Sequence, residues 1–324
     1  MRALVCRQFG PPSALAVEEV AAPQPAAGEI RIRVRAAGVN FPDVLLVQGL
    51  YQVKPPLPFT PGIEVAGDIV EVGAGVSGRQ PGQRVFAFIN HGGMAEEVCV
   101  PAHMALPLPD AMPYEHGAAF PIAYGTSHVA LAHRGQLLAG ERLLVLGAGG
   151  GVGLAAVAIG ARMGAEVIAA ASSDDKLALA REYGAHHTIN YTQADLRDAM
   201  RALTQDKGAD VIYDPVGGDL FDAAVRVIAW EGRYLVIGFA SGRIPELPVN
   251  RVLLKNSALV GVYWGAYAQH NPAVLQGSFE TLLEWYQAGQ LRMHVSQTYT
   301  LDEAKDALIA LMERRALGKL VIVP

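Results

Sequence analysis

The sequence predicts an α/β protein in which a β-rich part, split between the two ends of the chain, flanks an inserted, doubly wound parallel sheet. Three observations predict it. Apolar runs begin near Leu143, Glu166, His187, Asp210, Arg233 and Ala258, roughly 21–25 residues apart, with helix-like stretches in most of the intervals. That is the βαβ alternation of a parallel sheet. Residues 143–146 and 235–237 are apolar at successive positions, as strands covered on both faces require. Near the N-terminus, in contrast, Ile30, Ile32 and Val34 alternate with Arg31, Arg33 and Arg35, the period-two pattern of a half-exposed strand.

Taken in order, the first 110 residues read as strands and turns. Residues 63–72 and 84–88 continue the β pattern, separated by the glycine- and proline-rich turn 73–82. Prolines crowd residues 55–61 and mark an irregular loop. From Pro113 the pattern turns helical through residues 118–132. Within the inserted part the helical stretches are 151–163, 174–183, 194–203 and 219–230. A helix from Pro272, a strand at 294–300, a helix through 302–314 and a last strand at 319–323 complete the chain. The expected domains are 1–118 with 266–324, and 119–265.

Composition limits the function. Apolar residues make up 51% of 324 and charged residues 18%, so the chain can bury a large core. The net charge of −5 does not suit a nucleic-acid binder. Two cysteines, Cys6 and Cys99, cannot build a disulfide framework or a four-cysteine zinc lobe. No secretory signal is visible, and a cytoplasmic protein is expected. Residues 143–161 are uncharged and long enough to span a bilayer, yet five of their six glycines fall between Gly147 and Gly153. A buried strand, turn and helix accounts for that pattern, and no membrane association is expected.

The glycine cluster is the strongest signal. Leu143-Leu-Val-Leu leads into Gly147-Ala-Gly149-Gly150-Gly151-Val152-Gly153, and a small-residue helix follows. Glycine here allows a tight turn, lets a pyrophosphate reach the backbone amides of Gly149, Gly150, Gly151 and Val152, and lets the helix pack closely on the strand. The helix N-terminus adds free N–H groups and the positive end of its dipole. No Gly-Lys-Ser/Thr follows, which disfavours a nucleoside triphosphate. The second strand ends at Ala171-Ser172-Ser173, where an NAD-specific site usually carries an acid for the ribose hydroxyls. Two hydroxyls, with Lys176 on the next turn, leave room for a 2′-phosphate and favour NADPH. Asp174 and Asp175 suit a helix start.

Further motifs carry a resemblance. They are Ala36-Ala-Gly-Val-Asn40-Phe-Pro-Asp43, Gln48-Gly-Leu-Tyr51, Pro58-Phe-Thr-Pro-Gly62-Ile-Glu64-Val-Ala-Gly67, Asn190-Tyr191, Tyr213-Asp-Pro-Val-Gly-Gly218 and Gly318-Lys319. With the glycine turn, these make the chain resemble the zinc-independent medium-chain dehydrogenase/reductases over essentially its whole length, most closely the quinone oxidoreductase branch. The resemblance implies a GroES-like catalytic domain and a six-stranded Rossmann domain. Zinc-dependent members carry a ligand cysteine where this chain has Asn40 and a ligand histidine where it has Ile63, so no metal is expected.

The resemblance also implies roles. Asn40 and Tyr51, the expected catalytic pair, would line the substrate side of the cofactor, Asn40 touching it and bonding an acceptor carbonyl, Tyr51 bounding the pocket or donating a proton. Thr126 would contact the cofactor, and Ser173, Lys176 and Tyr191 would surround its 2′-phosphate. Gly238, Phe239, Ala240, Val262, Tyr263 and Trp264 would flank the nicotinamide, and Lys319 would reach the pyrophosphate. The implied activity is reduction of a quinone by NADPH. Reduction of an activated C=C bond in an enone, alkenal or enoyl thioester remains an alternative, as does an NADPH-binding sensor or structural protein with little turnover. The apolar run 258–264 reads as the sheet's edge strand, and the resemblance implies a homodimer that joins two such edges.

Overall fold

The computed structural model describes all 324 residues. They form two compact units, one of Met1–Ile122 with Met293–Pro324 and one of Ala123–Arg292. The first, outer unit is split between the two ends of the chain, and the second, central unit is inserted in it. Residues 266–292 belong to the central unit. There the helix Pro272–Gln287 sets Phe279 edge-on to Trp264 at 6.1 Å, and Ser278 Oγ lies 2.9 Å from His128 Nδ1. These are tertiary contacts that local periodicity does not reveal.

The outer unit is built on one long strand, Glu29–Val39. Ile30, Ile32 and Val34 point into the core, while Arg31 pairs with Glu71 and Glu97, and Arg35 with Asp68. One side of this strand pairs with Glu64–Val72. The other side pairs with Glu97–Pro101 over its first half and with Lys319–Val323 over its end. Val295–Thr300, Arg84–Phe88 and Ala105–Pro107 extend the sheet to seven strands, and Arg2–Val5 with Ala16–Glu19 forms a separate ribbon. The antiparallel register Leu320↔Val39 and Val65↔Ala37 brings Lys319, Asn40 and Glu64 to one end of three adjacent strands.

The central unit is a six-stranded, wholly parallel sheet. Numbered along the chain from Arg142–Leu146, its strands lie in the order 3-2-1-4-5-6. The remaining strands are Glu166–Ala171, His187–Asn190, Ala209–Asp214, Ile228–Val236 and Ala258–Gly261. The helices Gly151–Arg162, Asp174–Glu182, Leu196–Thr204 and Gly218–Ala224 connect them. The stretch read as helix 219–230 stops early, and the chain is already extended from Ile228 because that residue pairs with Ala209. Residues 143–161 divide into a buried strand and a helix, and no helix is long and apolar enough to cross a membrane.

Candidate functional site

In an open parallel sheet, ligands bind beyond the carboxyl ends of the strands, at the point where the strand order reverses. Here that point lies between Arg142–Leu146 and Ala209–Asp214. The glycine turn fills it. Gly147 has φ +60°, and the N–H of Gly150 closes the turn onto its carbonyl at 3.0 Å. A Cβ on Gly153 would stand 2.2 Å from Gly147 O, and one on Gly160 would stand 2.4 Å from Leu143 Cδ2. The helix can therefore lie this close to its strand only because both positions lack side chains. Gly150 differs. It has an ordinary φ of −87°, and a Cβ there would meet only Gly147 O at 3.5 Å. The protein's own packing does not require glycine at this position, while a ligand on the first-turn amides would.

The second strand ends beside this turn. Lys176 runs across it, so that a Cβ on Gly149 would lie 2.5 Å from both Cβ and Cγ of the lysine. Lys176 Nζ lies 3.4 Å from Ser172 Oγ. Ser173 caps the helix Asp174–Glu182, with Oγ accepting from the Lys176 N–H at 3.5 Å. Asp174 is engaged by Asn190 Nδ2 at 2.8 Å and Gln193 Nε2 at 3.4 Å. Tyr191 donates its N–H to Ala171 O at 3.2 Å, and its half-buried ring packs on the adjoining core. Ser172, Ser173, Lys176 and Tyr191 thus share one corner with the turn, and the strand tip itself carries hydroxyls but no acid.

Two buried residues that the sequence reading left without a role brace this edge. Asp214 accepts from the N–H groups of Val216 and Gly217 at 2.7 and 2.9 Å and from Tyr234 Oη at 2.7 Å. Burial pushes its carboxyl above the usual range. Ser127 links Ala123 O, Val152 O and Tyr213 Oη at 2.8–2.9 Å, so the helix carrying buried Thr126 is tied to the start of the glycine-turn helix. The strand end Tyr213-Asp214 before Pro-Val-Gly-Gly was the signal for the first. A lone serine gave none for the second.

Gly238, Phe239 and Ala240 follow the fifth strand and fold back over this corner, with Gly238 N–H on Asp214 O at 3.3 Å and Ala240 N–H on Pro215 O at 3.1 Å. Val262 is buried and Tyr263 is 53% exposed. Trp264 packs inward. Its ring is buried against Gly125, where a Cβ would stand 2.8 Å from Cζ2, so the ring serves the packing of this unit.

In the outer unit, Asn40 is buried and follows the long strand, and Tyr51 packs half-buried against the core. Lys319 is a correction. Its Nζ donates to Val39 O at 3.0 Å, Asn40 Oδ1 at 2.8 Å and Glu64 Oε1 at 2.6 Å. All three hydrogens of the ammonium are used, and the residue is 3% exposed, so nothing remains for a pyrophosphate. Glu64 Oε1 also accepts from Asn40 Nδ2 at 2.8 Å, and Oε2 accepts from the Ile122 N–H at 2.8 Å. Asp43 accepts from the N–H groups of Asn40 and Gly62 at 2.9 and 3.1 Å, and burial pushes its carboxyl up to about 7.

Two families of known proteins match the chain: the alcohol dehydrogenase GroES-like domain over residues 26–110, and zinc-binding dehydrogenase over residues 151–287. A quinone oxidoreductase-like protein 2 homolog from Nematostella vectensis is 39% identical over 99% of this chain and 88% of its own. A probable oxidoreductase from Mycobacterium abscessus superposes with a TM-score of 0.90, at 37% identity over 100% of this chain and 99% of its own. A quinone oxidoreductase from Escherichia coli, solved in complex with NADPH, superposes with a TM-score of 0.93 at 27% identity over both full lengths.

The two kinds of glycine in the turn separate experimentally. Gly153→Ala should destabilise the protein by about 1–3 kcal/mol, the usual cost of overpacking. Gly150→Ala should stay within about 0.5 kcal/mol of the parent. Urea unfolding followed by circular dichroism checks both, and equal losses would contradict the packing argument.

Proposed function

Because the chain belongs to the quinone oxidoreductase-like family of medium-chain dehydrogenase/reductases, we propose that this oxidoreductase is an NADPH-dependent, metal-free reductase of quinones. The observation that carries the cofactor choice is Lys176 lying across the glycine turn beside a strand tip that bears Ser172 and no acid. A 2′-phosphate gains from a lysine and hydroxyls, and the strand tip itself carries no carboxylate for a bare ribose, while that of Asp174 is engaged by Asn190 and Gln193. The space a Cβ at Gly150 would take suits a pyrophosphate on the amides of Gly150, Gly151 and Val152.

NADPH, when bound, supplies the hydride. The chain's own residues bind and orient. Ser172, Ser173, Lys176 and Tyr191 hold the 2′-phosphate, the turn holds the pyrophosphate, and Gly238–Ala240 border the ring. Asn40 donates an N–H to the acceptor carbonyl, and Tyr51 bounds the acceptor. Such positioning, without a strong general acid, suits an acceptor whose product oxygens take protons from water. Metal-free action is supported by the donor set. An amide stands at Asn40 and an alkyl chain at Ile63, and the ammonium of Lys319 already engages the Asn40 and Glu64 oxygens. A metal cation there would meet a fixed positive charge.

NADPH should bind at least about tenfold more tightly than NADH, a gap of about 1.4 kcal/mol. Lys176→Ala should narrow it without lowering the melting temperature. Fluorescence titration of both cofactors checks this, and equal affinities in the parent protein would sink the assignment.

The proposal includes a homodimer. The strand Ala258–Gly261 pairs on one side only, and Leu259 is 48% exposed. Val249, Leu253 and Leu254, which lie near it in the chain, are more than 70% exposed. An open apolar edge of this kind invites a second copy in antiparallel pairing. Sedimentation should give a dimer at micromolar concentration, and Leu259→Lys should convert it to monomer. A monomeric parent protein would contradict the proposal.

A further inference from the structure

Asn40 is held in one orientation by partners that cannot exchange roles. An ammonium only donates and a carboxylate only accepts. Lys319 Nζ therefore faces the amide oxygen at 2.8 Å, and Glu64 Oε1 faces the amide nitrogen at 2.8 Å. Turning the amide over would set N–H against ammonium and oxygen against carboxylate, with both charges buried. The Asn40 backbone is fixed as well, its N–H bonded to Asp43 at 2.9 Å. Glycine at position 38 is part of the arrangement, since a Cβ there would stand 2.2 Å from Glu64 Oε1. One group is left loosely held. The second Nδ2 hydrogen has only Gly38 O, at 3.5 Å, the outer limit of a hydrogen bond.

We propose that Lys319 and Glu64 are positioning residues that fix the Asn40 amide so that it offers an N–H, and never its oxygen, to the acceptor. The inference rests on the reading of Asn40 as the group that meets the acceptor carbonyl. When a carbonyl or quinone is reduced, negative charge develops on its oxygen. A donor fixed in place beforehand stabilises that charge, whereas a flipped amide would present a lone pair to it. Lys319 on the amide oxygen also draws electron density from the nitrogen and strengthens the remaining donor. The arrangement selects acceptors that bring an oxygen needing a donor, and it gives a task to a buried lysine whose three hydrogen bonds go to Val39, Asn40 and Glu64.

The test uses the full-length protein with NADPH and 1,4-benzoquinone. Asn40→Ala should lower kcat by about 100-fold, the scale of a lost oxyanion donor. The double variant Lys319→Met/Glu64→Gln removes both buried charges together, so it leaves none unpaired. It should fold, keep its NADPH affinity and lose about tenfold in kcat. Lys319→Ala should recover kcat saturably with n-propylammonium, which replaces the missing atoms and charge, but not with 1-propanol. A folded double variant with the parent's kcat, or equal recovery with 1-propanol, overturns the positioning proposal while leaving Asn40 in its role. An unchanged kcat in Asn40→Ala overturns the reading of Asn40 itself, and the proposal with it.

Discussion

No side chain fits between residue 153 and the carbonyl oxygen of Gly147, since even a Cβ would approach to 2.2 Å. That steric limit fixes the path from the first central strand into its helix. With the helix held against the strand, its N-terminal amides sit beyond the strand's carboxyl end, at the reversal of strand order. The neighbouring strand then delivers Ser172, Ser173 and Lys176 to the same corner, because it runs parallel and in register, Leu146 beside Ala170. The recognition of a phosphorylated dinucleotide proposed here follows from those two closely packed strands and one turn.

The outer unit solves a different problem. Burying Lys319, Glu64 and Asp43 removes three ionisable groups from water, which costs several kcal/mol per ion in a typical protein interior. The cost is offset by a full set of hydrogen bonds: three from the ammonium, three to Glu64 and two to Asp43. Strand register makes this possible, since Lys319, Asn40 and Glu64 arrive from three strands whose order in the sheet has no counterpart in sequence proximity. A cluster so expensive to bury points to a task other than stability, and a fixed amide is the task its geometry supports.

Much of the fold was legible because it rests on local patterns. The alternation of Ile30, Ile32 and Val34 with arginines marks one buried face, and the spacing of six apolar runs marks the parallel sheet. The glycines announced a close approach, although only the structure separates Gly153, which packing demands, from Gly150, which it does not. What escaped was long-range. Lys319 reads as a pyrophosphate contact until the final strand pairs with the first long one and sets its ammonium on Val39, Asn40 and Glu64. Trp264 reads as a strand-tip aromatic until Gly125 gives its ring a place. The helix Pro272–Gln287 joins the central unit through side-chain contacts such as Arg162 over Trp285 at 5.2 Å, which no periodicity announces.

The proposal to test is that the protein passes hydride from NADPH to a quinone without a metal, with Asn40 held by Lys319 as the donor to the acceptor. The most direct measurement is NADPH oxidation with 1,4-benzoquinone, followed by absorbance before and after exhaustive chelation, with elemental analysis of the same sample. The account predicts undiminished turnover after chelation and no stoichiometric zinc. Turnover that disappears on chelation and returns with zinc, or no turnover with any quinone, would contradict it.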